Sequence, residues 1–243
     1  MPKVSFLIPV KNEGVNLKII LQILEATIDI PFEILVVVDS KEDDSIPVVC
    51  EIQKKYENIR LVQNTLGRGV AFAIRSGCEA AKGQYVLVIA ADDLGPVLTV
   101  KEMVALMDQG YNLVSATRYA KGGKVYGGAF LSRLLSKTAN RLFHFLGGSQ
   151  LTDATVGIKM FRPDIFQKIQ IQSRVGWAMA FELSIKSQLL GMKLGEVPII
   201  SINRFYGGES SFKPGPWILE YSKLFLWGLK QAYQKKMMGD KPS

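Results

Sequence analysis

The sequence is poor in the residues that build structural metal centres and disulfide frameworks: it has two cysteines, Cys50 and Cys78, without CxxC spacing, and one histidine, His144. A zinc cluster and a disulfide-stapled fold are thereby excluded, and both thiols are expected to be buried and reduced. His144 stands between Phe143 and Phe145, where a lone histidine reads as packing or surface, and it is assigned no role. No uncharged apolar run reaches the roughly 18 residues that a membrane-spanning helix requires. Even the stretch 217–229 is broken by Glu220 and Lys223. Met1-Pro2-Lys3 runs straight into strand-like residues and leaves no room for a signal peptide, so a cytoplasmic chain is expected. Acidic residues are in the minority, 22 Asp and Glu against 30 Lys and Arg, for a formal charge of +8. That balance suits nucleic acid, an anionic membrane surface or a phosphate-bearing substrate. The chain has no helix-turn-helix, zinc-finger or aromatic RNP pattern, so nucleic acid is not an expected partner.

What the chain does hold is apolar surface: 48% of its 243 residues are hydrophobic, enough for a large core. Apolar, β-branched runs at 4–9, 33–38, 59–63, 84–90 and 112–116 alternate with helical patterns, which predicts a parallel βαβ sheet. Leu17, Ile20, Leu21 and Leu24 share one face of the first helix, and Thr99-x-x-Glu102 predicts a capping box. After Tyr119 a glycine-rich link changes the pattern, so a soft boundary is placed at 120, with 1–120 and 121–243 as two halves of one continuous domain. Strands are expected at 158–161 and 193–201, a helix at 180–190, and a long final helix from about Pro216.

In such sheets ligands bind beyond the carboxyl ends of the strands. The first strand ends in IPVKNE, which reads either as a turn capped by Asn12 or Glu13 or as one wall of a site. The second ends in VVVDSKEDDS, where Asp39 suits a helix cap or a ribose or base contact, with Asp43 and Asp44 just beyond. The fourth ends in VLVIAADDLGP and delivers Asp92 and Asp93 side by side. Adjacent carboxylates repel unless a cation or donor lies between them, which points to a hard metal ion. Gly67-Arg68-Gly69 follows the third strand, whereas a dinucleotide fingerprint follows the first.

IPVKNEGVNL, VVVDSKEDDS, GRGVAFAIRSGCEAAKG, AADD, SATRYAKGG, TDATVGIKMFR, GEVPI and RFYGGESSFK, in that order, resemble family-two GT-A glycosyltransferases. The likeness is to the dolichol-phosphate mannose synthase and polyprenyl-phosphate glucose synthase branch and spans nearly the whole chain. It implies a Rossmann-like α/β GT-A fold, with a central, mostly parallel sheet flanked by helices. It also implies a GDP- or UDP-linked sugar donor, Mg²⁺ or Mn²⁺, and inverting transfer. Matched motif by motif, it assigns Pro9, Lys11, Glu13, Val38, Asp39 and Ala91 to the nucleotide-sugar pocket and Asp92 to the metal. Arg118 would face the phosphates or the acceptor, and Arg204 and Lys213 would lie on a mobile segment over the pyrophosphate. Where relatives read DADLQ this chain reads AADDL, with Ala90 for the first acid and Leu94 for the glutamine. The metal site is then either rearranged, with Asp93 recruited, or weaker. Lys11 stands where an aromatic residue is common.

The second half supplies the acceptor side. A phosphate acceptor needs cations rather than a general base, and Arg118, Lys121, Lys124 and Arg133 follow the nucleotide half. In 130–146, Leu131, Leu134, Leu135, Leu142, Phe145 and Leu146 fall on one side while Arg133, Lys137 and Arg141 recur every fourth residue, an interfacial pattern. The last helix repeats it with Trp217, Leu224, Trp227 and Leu229 beside Lys223, Lys230, Lys235 and Lys236. The expected enzyme is peripheral on the cytoplasmic membrane face, with polyprenyl phosphate as acceptor. The alternatives are a glycan or lipid hydroxyl acceptor, or a nucleotide-sugar binder without catalysis.

Overall fold

The computed structural model describes residues 1–127, 130–202 and 214–239. The strands are β1 (Val4–Val10), β2 (Phe32–Val38), β3 (Ile59–Gln63), β4 (Tyr85–Val88), β5 (Leu113–Thr117), β6 (Lys124–Tyr126), β7 (Lys159–Phe161), β8 (Leu194–Pro198) and β9 (Ile200–Ile202). Seven of them form one sheet in the order β3-β2-β1-β4-β7-β5-β8, and β6 pairs with β9 in a second. Only β7 runs antiparallel in the large sheet, between β4 and β5. Strands β1, β2 and β4 read as near-continuous apolar runs because the middle of a parallel sheet is covered on both faces, whereas the edge strand β3 carries Arg60 and Gln63. Strands β7 and β8, from beyond residue 120, complete the sheet begun by the first half.

The helices are α1 (Gly14–Thr27), α2 (Ser45–Ile52), α3 (Val70–Ala80), α4 (Val100–Asp108), α5 (Phe130–Leu146), α6 (Ile165–Lys168), α7 (Ala178–Leu189) and α8 (Pro214–Gly239). Helices α1, α2 and α4 pack on one face of the sheet, where Leu17, Ile20, Leu21 and Leu24 lie fully buried with Phe6 and Ile8. Each such side chain contributes roughly 1.5–3 kcal/mol by leaving water. Helices α3 and α7 cover the other face with Leu7, Val37 and Val88, and Phe143 of α5 joins them.

Four expectations are corrected. The 193–201 run is two strands: Pro198 ends the pairing of β8 with β5, and β9 turns away to pair with β6. Thr99 does not cap α4, because its hydroxyl donates to the Pro96 carbonyl at 2.9 Å, closing the preceding 3₁₀ turn instead. Cys50 is exposed on the outer side of α2, while Cys78 is buried as expected, and burial pushes its thiol up. On α8, Leu224, Trp227 and Leu229 pack against the core rather than facing out. Among its described side chains the exposed large apolar ones are Ile218, Leu219, Leu226, Tyr233 and Met237.

Candidate functional site

Strands β1, β2, β4 and β5 point the same way, so their carboxyl ends share one edge. Past β1, Pro9 is half-buried and Lys11 exposed, and Asn12 turns the chain at φ 55°, a left-handed conformation that asparagine tolerates. The three amides that follow are clipped to the loop after β2. Asn12 N–H donates to the Asp43 carboxylate at 3.1–3.2 Å, Glu13 N–H to Ser45 Oγ at 3.1 Å and Gly14 N–H to Asp44 Oδ1 at 3.0 Å. Asp43 and Asp44 therefore brace the two loops against each other. Glu13, at the N-terminus of α1, accepts a hydrogen bond from Asn16 Nδ2 at 2.8 Å rather than capping the helix.

Val38 is fully buried and delivers half-buried Asp39 to the edge. Asp39 accepts from Asn64 Nδ2 at 2.6 Å and from Gly69 N–H at 2.8 Å, which fastens the loop before α3 to the tip of β2. The Gly67-Arg68-Gly69 stretch thus belongs to the wall around Asp39. Beyond β4, Ala91 is buried, Asp92 half-buried and Asp93 only 5% exposed. Asp93 is turned inward: Oδ2 accepts from Ser201 Oγ at 2.6 Å, and Oδ1 from Gly95 N–H at 2.9 Å and Ile202 N–H at 3.4 Å. No group of three or more His, Cys, Asp or Glu side chains gathers around a common point among the described residues. Hard divalent ions commonly take one or two carboxylates and fill the remaining positions with substrate phosphate and water, so one strand-end carboxylate such as that of Asp92 is enough to fit such an ion.

Arg118 follows β5 at the same edge. Its guanidinium grips Asp153 with two bonds, Nε to Oδ2 at 2.6 Å and the terminal nitrogen to Oδ1 at 3.0 Å, and Asp153 is fully buried. Burial opposes the arginine charge, but Asp153 outweighs it and holds the proton more firmly than usual. From Arg118 a pocket of about 460 Å³ opens, lined by Lys124, Arg133 and Lys137 with Tyr119 and Tyr126. Lys121 and Arg141 are not among its lining residues. Gly123 is needed at the rim, since a Cβ there would sit 2.7 Å from the Thr117 carbonyl oxygen. A second concavity, of about 380 Å³, lies beside Glu33 and Arg60, near the amino end of β2 and away from the strand tips. Arg204 and Lys213 lie outside the described residues.

Sequence reading passed over the groups that hold the pocket. Asp153 is the lone charge in the stretch 147–158, which could have marked it as paired. Asn140, 2% exposed on α5, donates to Thr155 Oγ1 at 2.7 Å and accepts from Ala154 N–H at 2.9 Å, so the helix is fixed to the Asp153 loop. Glu196 accepts from the Thr152 amide at 2.7 Å, and the Thr152 hydroxyl bonds that of Thr117 at 2.7 Å. Lys159 on β7 lies in the centre of the sheet, with Nζ donating to Ser115 Oγ at 2.9 Å.

Burial pulls the Lys159 ammonium down to about 7; Asp153 acts against that fall and Arg118 adds to it. The folded value lies below the 10.5 of an ordinary lysine, so the unfolded chain binds more protons between the two. Stability from this group accordingly rises with pH across that window and is at its lowest at and below pH 7. The stability of Lys159→Met minus that of wild type should be largest near pH 7 and shrink toward pH 10, as measured by urea unfolding. A pH-independent difference would show that Lys159 titrates like an exposed lysine.

A mostly parallel sheet with an acid-bearing edge and a following second half is the GT-A class of fold. The chain belongs to glycosyl transferase family 2, whose sequence pattern matches residues 5–170. It is 28% identical to a dolichol-phosphate mannosyltransferase of Pyrococcus furiosus over 90% of this chain and 61% of that one. It is 26% identical to a polyprenol monophosphomannose synthase of Mycolicibacterium smegmatis, over 87% and 85%. The chain thus spans about three fifths of the archaeal relative. Glucosyl-3-phosphoglycerate synthase of Mycobacterium tuberculosis shares the fold at a TM-score of 0.70 and 17% identity, covering 94% of this chain and 80% of that one.

Proposed function

We propose that the chain transfers a sugar, with inversion, from a GDP- or UDP-linked donor to a polyprenyl phosphate at the cytoplasmic face of a membrane. One observation carries this reading: Arg118, Lys124, Arg133 and Lys137 converge on one pocket, beside a helix whose apolar stripe faces solvent. An acceptor phosphate is already ionised at neutral pH and needs no general base, but it must approach an anionic donor, and cations make that approach possible. The family relatives named for dolichol or polyprenol phosphate support the same acceptor.

On the donor side, Asp39 and its bonded loop suit the ribose or base, with Pro9, Lys11, Glu13, Val38 and Ala91 around them. Asp92 would hold Mg²⁺ or Mn²⁺ together with the donor diphosphate, and such an ion neutralises charge that builds on the leaving group. The bond from the anomeric carbon to the diphosphate oxygen breaks as an acceptor phosphate oxygen bonds to the opposite side of that carbon. Arg118, held rigid by Asp153, orients the acceptor phosphate, and Arg133 and Lys137 complete its neutralisation.

Helix α5 has the build of an interfacial helix. Asn140 and Phe143 bury one stripe, Leu134, Leu135, Leu142, Phe145 and Leu146 lie exposed on another, and Arg133, Lys137 and Arg141 flank the exposed stripe. No helix among the described residues is long and apolar enough to cross a membrane. Each basic side chain at an anionic surface contributes about 1 kcal/mol, so reversing Arg133, Lys137 and Arg141 to Glu should weaken liposome binding by roughly a hundredfold or more. Transfer to a long-chain polyprenyl phosphate should fall with it, while nucleotide binding by thermal shift stays near wild type. Continued sedimentation of the variant with anionic liposomes, or a wild type that prefers a soluble hydroxyl acceptor, would replace this reading with hydroxyl transfer.

A further inference from the structure

The inward turn of Asp93 leaves one structure to explain: the small β6–β9 sheet. β9 is joined to the acid edge at three points. The Ser201 hydroxyl donates to Asp93 Oδ2 at 2.6 Å, the Ile202 amide donates to Asp93 Oδ1 at 3.4 Å, and Gly95 lies against the Ile200 carbonyl oxygen. A Cβ at Gly95 would collide with that oxygen and stand 3.1 Å from Asp93 Oδ1, so the approach is possible only with glycine. On its other side β9 pairs with β6, Val125 opposite Ser201 and Tyr126 opposite Ile202. Lys124, Val125 and Tyr126 of β6 are the very residues that form one wall of the cationic pocket, and Arg133 reaches the Val125 carbonyl at 3.5 Å.

We propose that Asp93 is a positioning residue rather than a metal ligand, a latch that sets the β6 wall of the acceptor pocket against the edge that carries Asp92. The two adjacent acids then divide the work. Half-buried Asp92, on the proposed function, serves the donor, and buried Asp93 fixes the distance between donor edge and acceptor wall. A carboxylate that accepts from a hydroxyl and two amides is well satisfied without a cation. This assignment rests on the donor and acceptor sites proposed above, but the latch itself is testable without either substrate.

Three variants test it: Asp93→Asn, Ser201→Ala and Gly95→Ala. Hydrogen exchange of wild type and variants should show the 124–126 and 200–202 amides exchanging about tenfold faster once a latch bond is lost. Mn²⁺ binding in the presence of UDP or GDP, followed by electron paramagnetic resonance, should stay within about twofold of wild type in Asp93→Asn and Ser201→Ala, but be lost in Asp92→Asn. In transfer assays, Ser201→Ala should raise KM for the lipid phosphate several-fold while leaving kcat and the metal dependence near wild type. Faster exchange confined to 93–95, with 124–126 as in wild type, overturns the latch. Loss of Mn²⁺ in Asp93→Asn equal to that in Asp92→Asn overturns it too. A wild type that transfers no sugar to lipid phosphate sinks the proposed function, and the exchange experiment then decides the latch alone.

Discussion

On the proposed function, Asp92→Asn should reduce sugar transfer by about a thousandfold or more, because Asp92 would hold the divalent ion that neutralises charge building on the departing diphosphate, and losing that ion raises the barrier by several kcal/mol. The melting temperature should barely change, since Asp92 is half-buried past the end of β4 rather than in the core. EDTA provides the control. It should bring wild type down to the level of the variant and have little further effect on Asp92→Asn. A variant that keeps a tenth of wild-type activity and remains sensitive to EDTA would move the metal away from Asp92. The environment of the two acids gives this prediction its sharpness. The Asp93 oxygens are bonded to Ser201, Gly95 and Ile202, so on this reading the metal role falls to Asp92 and Asp93→Asn should leave the EDTA sensitivity in place.

The sheet was legible because burial on both faces writes itself into the sequence as unbroken apolar runs, as in FEILVVV of β2 and YVLV of β4. The strand tips were legible for a related reason: polar residues end such runs abruptly, so Asp39, Asp92 and Arg118 stood out. What could not be read depends on contacts between distant segments. Asp153 is an ordinary aspartate until β5 and the 152–156 loop meet, 35 residues apart in sequence, and it closes on Arg118. Helix α8 shows the limit of periodicity. Its sequence carries apolar residues on more than one side, and only packing decides that Leu224 and Trp227 face the core while Leu226 and Tyr233 face out. In α5 the basic repeat showed only that Arg133, Lys137 and Arg141 stay out of the core; whether the leucines pack or face solvent was left open, and the burial of Asn140 and Phe143 is what turns Leu134, Leu142 and Phe145 outward.

Asp153→Asn is the second large effect, and it separates stability from function. The substitution leaves a shape close to the original but removes the charge that balances Arg118, whose side chain is only 21% exposed. Breaking a buried pair from one side costs about 3–5 kcal/mol, which for a chain of this size lowers the melting temperature by roughly 10 °C. Transfer should fall at least about a hundredfold even where the variant is still folded, because an arginine without its two-point clamp no longer presents a fixed guanidinium to the acceptor phosphate. Lys159 adds a second signature, since Asp153, ahead of Glu196, is the larger attraction opposing its fall to about 7. Without that carboxylate the Lys159 ammonium should drop further, and the pH at which stability begins to rise should drop with it. The decisive variant removes both partners. Arg118→Met with Asp153→Leu replaces an ion pair by apolar side chains, which in buried sites is often neutral or stabilising, so the melting temperature should return toward wild type. Transfer should not return, because the guanidinium itself is gone. If the double variant recovers activity along with stability, Arg118 serves only to balance Asp153, and the acceptor phosphate must be held by Lys124, Arg133 and Lys137 alone.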